Sequence, residues 1–166
     1  MKTDKIYLVG FMAAGKSTVG KALANRLQWA FRDLDELIEE REQLSVAEFF
    51  SEKGEAAFRK AEATMLEEIQ QLRHTVVATG GGTLESLSSR TIIIDDGVAV
   101  WLDISIETAL SRLSDDRTRP LASNQKKLRA LWTSRRSTYS LAQVQLAAEG
   151  KTVENLVTQI VNWISE

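Results

Sequence analysis

Short apolar runs alternate with amphipathic stretches along the chain, and the two patterns predict different elements. A short continuous apolar run is typical of a strand in a parallel sheet, because such a strand is covered on both faces. These runs predict five strands, at residues 5–9, 29–33, 75–79, 98–102 and 144–147.

Helical spacing fills the segments between the apolar runs. In residues 16–27, Val19, Leu23 and Leu27 fall on one helical face. The "SVAE" pattern at residues 45–48 is a capping box that opens another helix. Further helices are expected at residues 35–41, 55–72, 106–113, 128–139 and 152–164. Strands alternating with helices predict an α/β layered fold with a mainly parallel sheet.

The segment "TIIID" at residues 91–95 fits two elements. Its β-branched residues before "DG" favour a strand of a hairpin, and a buried helical turn fits equally well. No repeat, low-complexity tract or linker interrupts the chain, so a single domain over residues 1–166 is expected.

Composition narrows the classes of function. The chain has 166 residues, enough for one domain with a full core. Its formal charge of −2, without a basic tail or block, argues against nucleic acid as a partner. Because cysteine is absent and His74 is the single histidine, a metal would need oxygen ligands, which favours Mg²⁺.

The chain lacks the features of a membrane or exported protein. No stretch approaches the roughly 20 apolar residues of a membrane span. The opening "MKTDKIYLVGF" is basic and then apolar, but its apolar run is too short for a signal peptide. We expect a soluble, cytoplasmic monomer with no membrane partner. A plastid protein whose transit peptide has been removed would have the same features.

A glycine loop follows the first strand. "GFMAAGKST" carries Gly10 and Gly15, then Lys16 and Ser17, between a predicted strand and a predicted helix. This is the phosphate-loop pattern in its required setting, and a chance match in a strand-to-helix turn is the alternative. Glycines let the backbone amides turn inward toward an anion, the helix dipole adds positive charge, and Lys16 and Ser17 can reach phosphates and Mg²⁺.

Two acids follow the second strand. Asp33 and Asp35 should face the phosphate loop, because ligands of such sheets bind at the carboxyl ends of the strands. On extended chain, residues two apart point the same way. One acid could hold a metal-bound water and the other a substrate hydroxyl; an N-cap of the next helix is the alternative for either.

Two further stretches could contact an anionic or sugar-like substrate. In "GEAAFRKAE", Arg59 and Glu62 are helical neighbours, which suits either a fixed guanidinium for an anion or a plain surface ion pair. In "ATGGGT", Gly80, Gly81 and Gly82 suit close backbone approach to a ligand, or a simple mobile turn.

The remaining basic residues cluster near the end of the chain. The polar stretch 114–127 carries Arg117 and Arg119 and is interpreted as a mobile lid, from which an arginine could reach a transferring phosphoryl group. "SRRSTY" adds Arg135 and Arg136. A solvated basic face is the alternative for either group.

Taken together, these motifs resemble the shikimate kinase family. The order G-x-x-x-x-G-K-S-T, D-x-D, G-E-x-x-F-R-x-x-E, G-G-G, R-P-L and R-x-x-x-Y covers nearly the whole chain. The resemblance implies a three-layer P-loop kinase fold with a five-stranded parallel sheet, a helical substrate-binding region (about 33–62) and a mobile lid. It also implies transfer of the γ-phosphoryl of ATP to the 3-hydroxyl of shikimate, with Mg²⁺.

The resemblance also assigns roles residue by residue. Asp35 would orient or deprotonate the attacking hydroxyl, with Lys16 and Arg119 completing the catalytic set. Ser17 and Asp33 would hold the metal. The nucleotide would be bound by Gly10, Ala13, Ala14, Gly15, Lys16, Ser17, Thr18, Arg112 and Arg119. Shikimate would be bound by Asp35, Phe50, Phe58, Arg59, Gly80, Gly81, Gly82 and Arg135, with Arg59 and Arg135 on its carboxylate.

Several positions depart from the family pattern. Ala13 replaces a common glycine and fits if its φ is negative. "SRRSTY" lacks the usual acid before its arginine and the usual proline after it, so Arg135 and Arg136 both stay candidates.

Two other functions stay open: a kinase of another small polyol or nucleotide on the same fold, and a related protein that binds without catalysis. An argument against the latter is that this chain's chemical groups are intact: Lys16, Ser17, Asp33, Asp35 and Arg119.

Overall fold

The computed structural model describes residues 1–114 and 124–166. Strands in these ranges are β1 (Lys5–Val9), β2 (Ala30–Asp33), β3 (Thr75–Ala78), β4 (Val98–Asp103) and β5 (Val144–Ala147). The helices are α1 (Lys16–Leu27), α2 (Leu34–Glu42), α3 (Val46–Ile69), α4 (Leu87–Asp96), α5 (Ile106–Ser114), α6 (Gln125–Tyr139) and α7 (Val153–Ser165), and a 3₁₀ turn spans Thr83–Glu85.

The five strands form one parallel sheet in the order β2-β3-β1-β4-β5. β1 lies at its centre and is buried along its whole length. In the register, Ile6 pairs with Val76 on one side and Val98 on the other. Because the strands are parallel, their carboxyl ends meet at one edge, and the loops after β1, β2 and β3 come together there.

Helices cover the sheet through apolar faces at helical spacing. α1 buries Val19 and Leu23, and it packs against α7. A Cβ at Gly20 of α1 would lie 2.6 Å from the Phe31 ring, so a larger residue would push α1 away from β2. α7 buries Leu156, Val157, Ile160 and Ile164. The predicted three-layer α/β fold with a five-stranded parallel sheet is confirmed.

Most predicted elements are confirmed, including the capping box, where the Glu48 amide donates to Ser45 Oγ and the Ser45 amide donates to Glu48 Oε2. Residues 91–95 lie within α4, so the strand alternative was wrong. β4, the strand with which such a hairpin strand would pair, already has β1 and β5 as neighbours, and the segment instead packs as a helix beside α3 and β4. Tertiary packing thus overrides the β-propensity of this segment.

Helices extend into both ends of the segment predicted as a lid, residues 114–127. Ser114 is the last residue of α5, and α6 begins at Gln125 rather than at Leu128. The Asn124 side chain accepts a bond from the Lys127 amide and caps α6. The rest of the predicted lid lies at residues 115–123, outside the described residues.

α3 bends at Gly54, whose φ of 84° and ψ of 170° are not helical. This is backbone space that only glycine occupies readily. The bend divides α3 into a first part that carries Phe49 and Phe50 and a second part that carries Phe58 and Arg59.

A buried charge cluster lies at the amino-terminal ends of the strands. Lys5 Nζ is 2.8 Å from Asp96 Oδ2 and donates to the Gln70 carbonyl at 3.0 Å. Tyr7 Oη donates to the same Asp96 oxygen at 2.5 Å. Lys5 is only 2% exposed. Its ammonium lies at the carboxyl ends of α3 and α4, where the helix dipoles favour a cation.

No helix within residues 1–114 and 124–166 has the length and apolar composition needed to cross a membrane.

Candidate active site

The phosphate loop connects β1 to α1 through three residues of positive φ. Gly10 has φ 145°, Ala13 has φ 63° and Gly15 has φ 92°. A Cβ at Gly10 would lie 2.8 Å from the Leu102 carbonyl oxygen, so only glycine fits there. The condition for an unstrained alanine at position 13, a negative φ, is not met: Ala13 is in the left-handed region, where its Cβ crowds its own backbone.

The loop presents positive charge at the start of α1. Gly15 is the N-cap of α1 and has no side chain to accept bonds from the first amides of the helix. Lys16 Nζ donates to the Gly10 carbonyl at 2.7 Å and to the Phe11 carbonyl at 2.9 Å, which holds the ammonium against the loop. Amides, helix dipole and ammonium together suit a polyphosphate.

Ser17 and Asp33 meet beside this loop. Ser17 Oγ donates to Asp33 Oδ2 at 2.5 Å. Asp33 ends β2 and also caps α2, since its Oδ1 accepts a bond from the Glu36 amide at 3.2 Å. A hydroxyl and a carboxylate side by side are hard oxygen donors of the kind that Mg²⁺ takes together with water and phosphate, so these residues fit the metal.

Asp35 lies in the first turn of α2, so the premise that Asp33 and Asp35 share an extended segment was wrong. Its Oδ1 is buried, and no donor among the described residues reaches it. Burial, together with the negative charges of Glu62 and Asp33, raises the pKa of Asp35 to about 6, against the opposing effect of Lys16. An unpartnered buried oxygen of this kind can accept a proton or a hydroxyl.

Arg59 is held in a buried ion pair and not at the surface. Its Nη1 donates to Glu62 Oε1 at 2.6 Å, and the Glu62 side chain is 0% exposed. The Phe50 and Phe58 rings lie 5.9 and 5.6 Å from the guanidinium carbon. The two predicted pocket phenylalanines therefore lie together on one side of the arginine.

Arg59 and Arg135 converge at Gly82. A Cβ on Gly82 would lie 2.3 Å from Arg59 Nη2 and 3.0 Å from Arg135 Nη2, so any side chain there would displace the guanidinium groups. Tyr139 Oη donates to the Gly81 carbonyl at 2.5 Å and ties α6 to the glycine turn. Burial raises the pKa of Tyr139 to about 12, so its hydroxyl keeps this proton.

Arg136 points elsewhere. Its guanidinium makes two bonds to the Asp103 carboxylate, at 2.8 and 3.1 Å. It also stacks between the Trp101 and Trp132 rings, 4.9 and 4.4 Å from their centroids. Of the two adjacent arginines, Arg135 therefore lies at the glycine turn, and Arg136 joins α6 to the end of β4.

The remaining basic candidates are Arg112, Arg117 and Arg119. Arg112, near the end of α5, donates to the Ala13 carbonyl at 2.7 Å and so reaches the phosphate loop. Arg117 and Arg119 lie outside the described residues.

Two side chains that complete this edge were not singled out from the sequence. Thr83 Oγ1 bonds both Glu62 and the Gly80 amide, and Asp103 fixes Arg136. Thr83 directly follows the glycine triplet, so a hydroxyl in the "GGGT" turn was the available signal. Asp103 is the single polar residue at the end of an apolar strand and belongs to no motif, so the sequence gave no signal for it.

The arrangement combines three chemical functions at one edge of the sheet. The loop from Gly10 to Ser17 suits phosphates, the paired guanidinium groups of Arg59 and Arg135 suit a carboxylate, and Asp35 can take a proton. Such a site can move a phosphoryl group to a hydroxyl on a small carboxylic acid.

Comparisons with known proteins agree with this chemistry. The shikimate kinase family model matches residues 12–165. A shikimate kinase from Sulfurihydrogenibium sp. (strain YO3AOP1) is 42% identical over 160 residues, covering 96% of each chain.

Solved structures lead to the same family. Shikimate kinase from Acinetobacter baumannii in complex with shikimate superposes with a TM-score of 0.92 at 33% identity, over 98% of this chain and 93% of that one. A gluconokinase from Sinorhizobium meliloti 1021, at 17% identity and a TM-score of 0.62 over 99% and 93%, shares the fold alone. By sequence match, fold and the geometry of its strand edge, the chain belongs to the shikimate kinase family.

Proposed function

We propose that the protein transfers the γ-phosphoryl group of ATP to the 3-hydroxyl of shikimate, giving shikimate 3-phosphate and ADP. The observation that carries this proposal is the convergence of Arg59 and Arg135 at Gly82, on the same strand edge as Asp35 and the phosphate loop. A substrate with one carboxylate and several hydroxyls matches that pairing of cations with an acid.

The nucleotide phosphates are bound by the loop. Backbone amides from Ala13 to Thr18 and the ammonium of Lys16 face the β- and γ-phosphates, and Lys16 offsets charge that develops on the transferring group. Arg112, already bonded to the Ala13 carbonyl, borders the nucleotide from α5. Arg119 supplies a second cation to the phosphoryl oxygens from the lid.

Shikimate lies against the glycine turn. Its carboxylate receives the guanidinium groups of Arg59 and Arg135, and its ring lies along Gly80, Gly81 and Gly82, where the absence of side chains allows close approach. Phe50 and Phe58 form the apolar wall. In this proposed pose the 3-hydroxyl contacts Asp35.

Asp35 orients and deprotonates that hydroxyl. The hydroxyl oxygen bonds to the γ-phosphorus as the bond from this phosphorus to the bridging oxygen of ADP breaks, and the hydroxyl proton passes to Asp35. A raised pKa of about 6 makes this carboxylate a better proton acceptor than an ordinary aspartate, while leaving it ionised at neutral pH.

Ser17 and Asp33 would hold Mg²⁺, which would supply positive charge to the phosphates of the nucleotide. Asp33 keeps its second oxygen on the Glu36 amide, so the cap of α2 fixes this carboxylate in place.

The remaining assignments are also proposals: one domain over residues 1–166, a monomer and a cytoplasmic location. Light scattering on eluting protein gives the mass, and one species of 18.5 kDa is the expected result.

A coupled assay of ADP release tests the function. With ATP and Mg²⁺, shikimate should support turnover, whereas gluconate, CMP and AMP should not. A Lys16→Ala preparation, purified identically, controls for contaminating kinases, because it loses a phosphate contact and not a core residue. Turnover with CMP or gluconate in place of shikimate would favour another kinase on this fold, and no turnover with any acceptor would favour a binding protein.

A further inference from the structure

A buried hydroxyl in the glycine turn joins two parts of the acceptor pocket. Thr83 begins the 3₁₀ turn and is 0% exposed. Its Oγ1 lies 2.9 Å from the Gly80 amide nitrogen and 2.5 Å from Glu62 Oε2. Because an amide can only donate, the hydroxyl oxygen accepts that bond, and its single proton goes to the Glu62 carboxylate.

Glu62 passes this restraint on to Arg59. The two oxygens of the buried carboxylate are divided between two donors, with Oε1 on Arg59 Nη1 and Oε2 on the Thr83 hydroxyl. A fully buried carboxylate depends on such donors, because burial removes the water that would otherwise solvate it. The hydroxyl thereby fixes the plane of the carboxylate, and the carboxylate fixes the guanidinium.

Arg59 has weak alternatives to this partner. Its other acidic contact, Glu55, is 67% exposed and 3.4 Å from Nη2. Its Nε is buried, with no acceptor in reach among the described residues. The Phe50 and Phe58 rings lie together on one side of the guanidinium, with their centroids 4.7 Å apart, and do not fix its rotation. The direction of Nη2, which lies beside Gly82, therefore depends on Glu62.

We propose that Thr83 is a positioning residue for acceptor recognition. Through Glu62, its hydroxyl sets the direction in which Arg59 presents its guanidinium to the substrate carboxylate. This inference rests on the proposed function, since it needs an acceptor that carries a carboxylate. The bond from the Gly80 amide anchors the hydroxyl itself.

Removing the hydroxyl tests the proposal. Thr83→Val keeps the side-chain shape but leaves Glu62 Oε2 and the Gly80 amide without this partner. We expect the KM for shikimate to rise about tenfold or more, while kcat and the KM for ATP stay within about threefold, because a bond to a charged group is being lost. Thr83→Ser restores the hydroxyl and should return the KM for shikimate to within about threefold of the parent.

A substrate without the carboxylate charge separates this route from general damage to the pocket. With the methyl ester of shikimate as acceptor, the loss in kcat/KM caused by Thr83→Val should be much smaller than with shikimate. Thr75→Val is the matched control: Thr75 is also 0% exposed, but its hydroxyl donates to the Arg73 carbonyl at the opposite end of β3. It should leave both KM values unchanged.

Thr83→Ala, which lacks the hydroxyl and adds no methyl group, provides the same measurements if the valine variant does not fold. An unchanged KM for shikimate in a folded valine or alanine variant would overturn the proposal. So would equal losses with shikimate and its ester, or a failure of serine to restore affinity. A parent enzyme that does not phosphorylate shikimate would overturn the proposed function, and this inference with it.

Discussion

Two adjacent arginines show how much depends on a single position. Arg135 reaches the glycine turn, whereas Arg136 is bound by Asp103 and two tryptophans. Residues one apart on a helix face different directions, so α6 can serve the site with one and its own attachment with the other. The sequence limited the choice to this pair but could not decide it, because the deciding partner, Asp103, is 33 residues away.

Replacing each arginine by alanine should affect a different property, substrate binding for one and stability for the other. Arg135→Ala, like Arg59→Ala, should weaken shikimate binding about ten- to a hundredfold and leave ATP binding nearly unchanged, because a charge-assisted contact is lost. Arg136→Ala should instead lower the free energy of unfolding by about 1 kcal/mol, a modest value because its pair with Asp103 is about one third exposed. Titration calorimetry and urea unfolding measure the two effects. A larger affinity loss in Arg136→Ala would reverse the assignment.

The raised pKa of Asp35 predicts the acid limb of activity. Because the ionised carboxylate is the proton acceptor, kcat/KM for shikimate should fall about tenfold per pH unit below a midpoint near 6. Asp35→Asn should lower kcat about 10²-fold or more, the usual contribution of a general base. A midpoint near the ordinary aspartate value would contradict the raised pKa.

The ionised carboxylate of Asp35 should also lower the free energy of unfolding at neutral pH. Its pKa is higher in the folded protein than in the unfolded chain, so the folded state binds the extra proton between about pH 4 and pH 6. Stability from this group is complete below that window and is lost as the pH rises through it. Without Mg²⁺ or nucleotide, Asp35→Asn should therefore raise Tm over the parent at pH 8 and bring little gain at pH 4. A constant difference across this range would show that Asp35 has an ordinary pKa.

Among the elements, β1 and α1 could be predicted at their observed bounds. The apolar run predicts a buried strand, and the glycine loop that follows it predicts the start of a helix. Residues 91–95 could not, since β-branched residues suit a strand and the neighbours of β4 had to be known first. The link from Thr83 through Glu62 to Arg59 also escapes sequence analysis. Its bonds join separate elements, and hydroxyls give no periodic signal.

The bend of α3 at Gly54 sets the relation between Phe50 and Arg59. Gly54→Ala has room for its Cβ, but the backbone there is glycine-only space and should cost about 1–3 kcal/mol. To escape that strain the helix should straighten and shift Arg59, raising the KM for shikimate. Gly150→Ala, also at positive φ with open space but after β5, should destabilise without that change in KM. Urea unfolding and steady-state kinetics on both variants check this, and equal KM values would show that the bend does not serve the pocket.

Across the whole molecule, the two ends of the sheet have different tasks. The carboxyl ends carry phosphate and acceptor recognition, whereas the amino ends carry the Lys5–Tyr7–Asp96 cluster. The sequence predicts the first edge through its motifs. It does not predict the charge cluster at the amino-terminal edge, because a lysine at the start of an apolar run is usually solvated.

Lys5→Met should separate these tasks. It leaves Asp96 nearly buried without its cation, so the free energy of unfolding should fall by about 3 kcal/mol while both KM values stay unchanged. Removing the acid as well, in Lys5→Met with Asp96→Asn, should recover part of that loss in a double-mutant cycle. Urea unfolding at several temperatures measures the free energy of unfolding of each variant. A change in the KM for shikimate would show that the two ends are coupled.

The central place of β1 also has a consequence for how the protein is made. β1 is the first strand synthesised, yet its neighbours begin only at Thr75 and Val98. At about 5–20 residues per second, a growing chain spends several seconds with its most buried strand unpaired, far longer than hydrophobic collapse takes. During that interval the nascent chain exposes an apolar segment that can bind a chaperone or another unfinished chain. The central strand position that carries the phosphate loop in the finished enzyme thus makes early synthesis the period of greatest risk of aggregation.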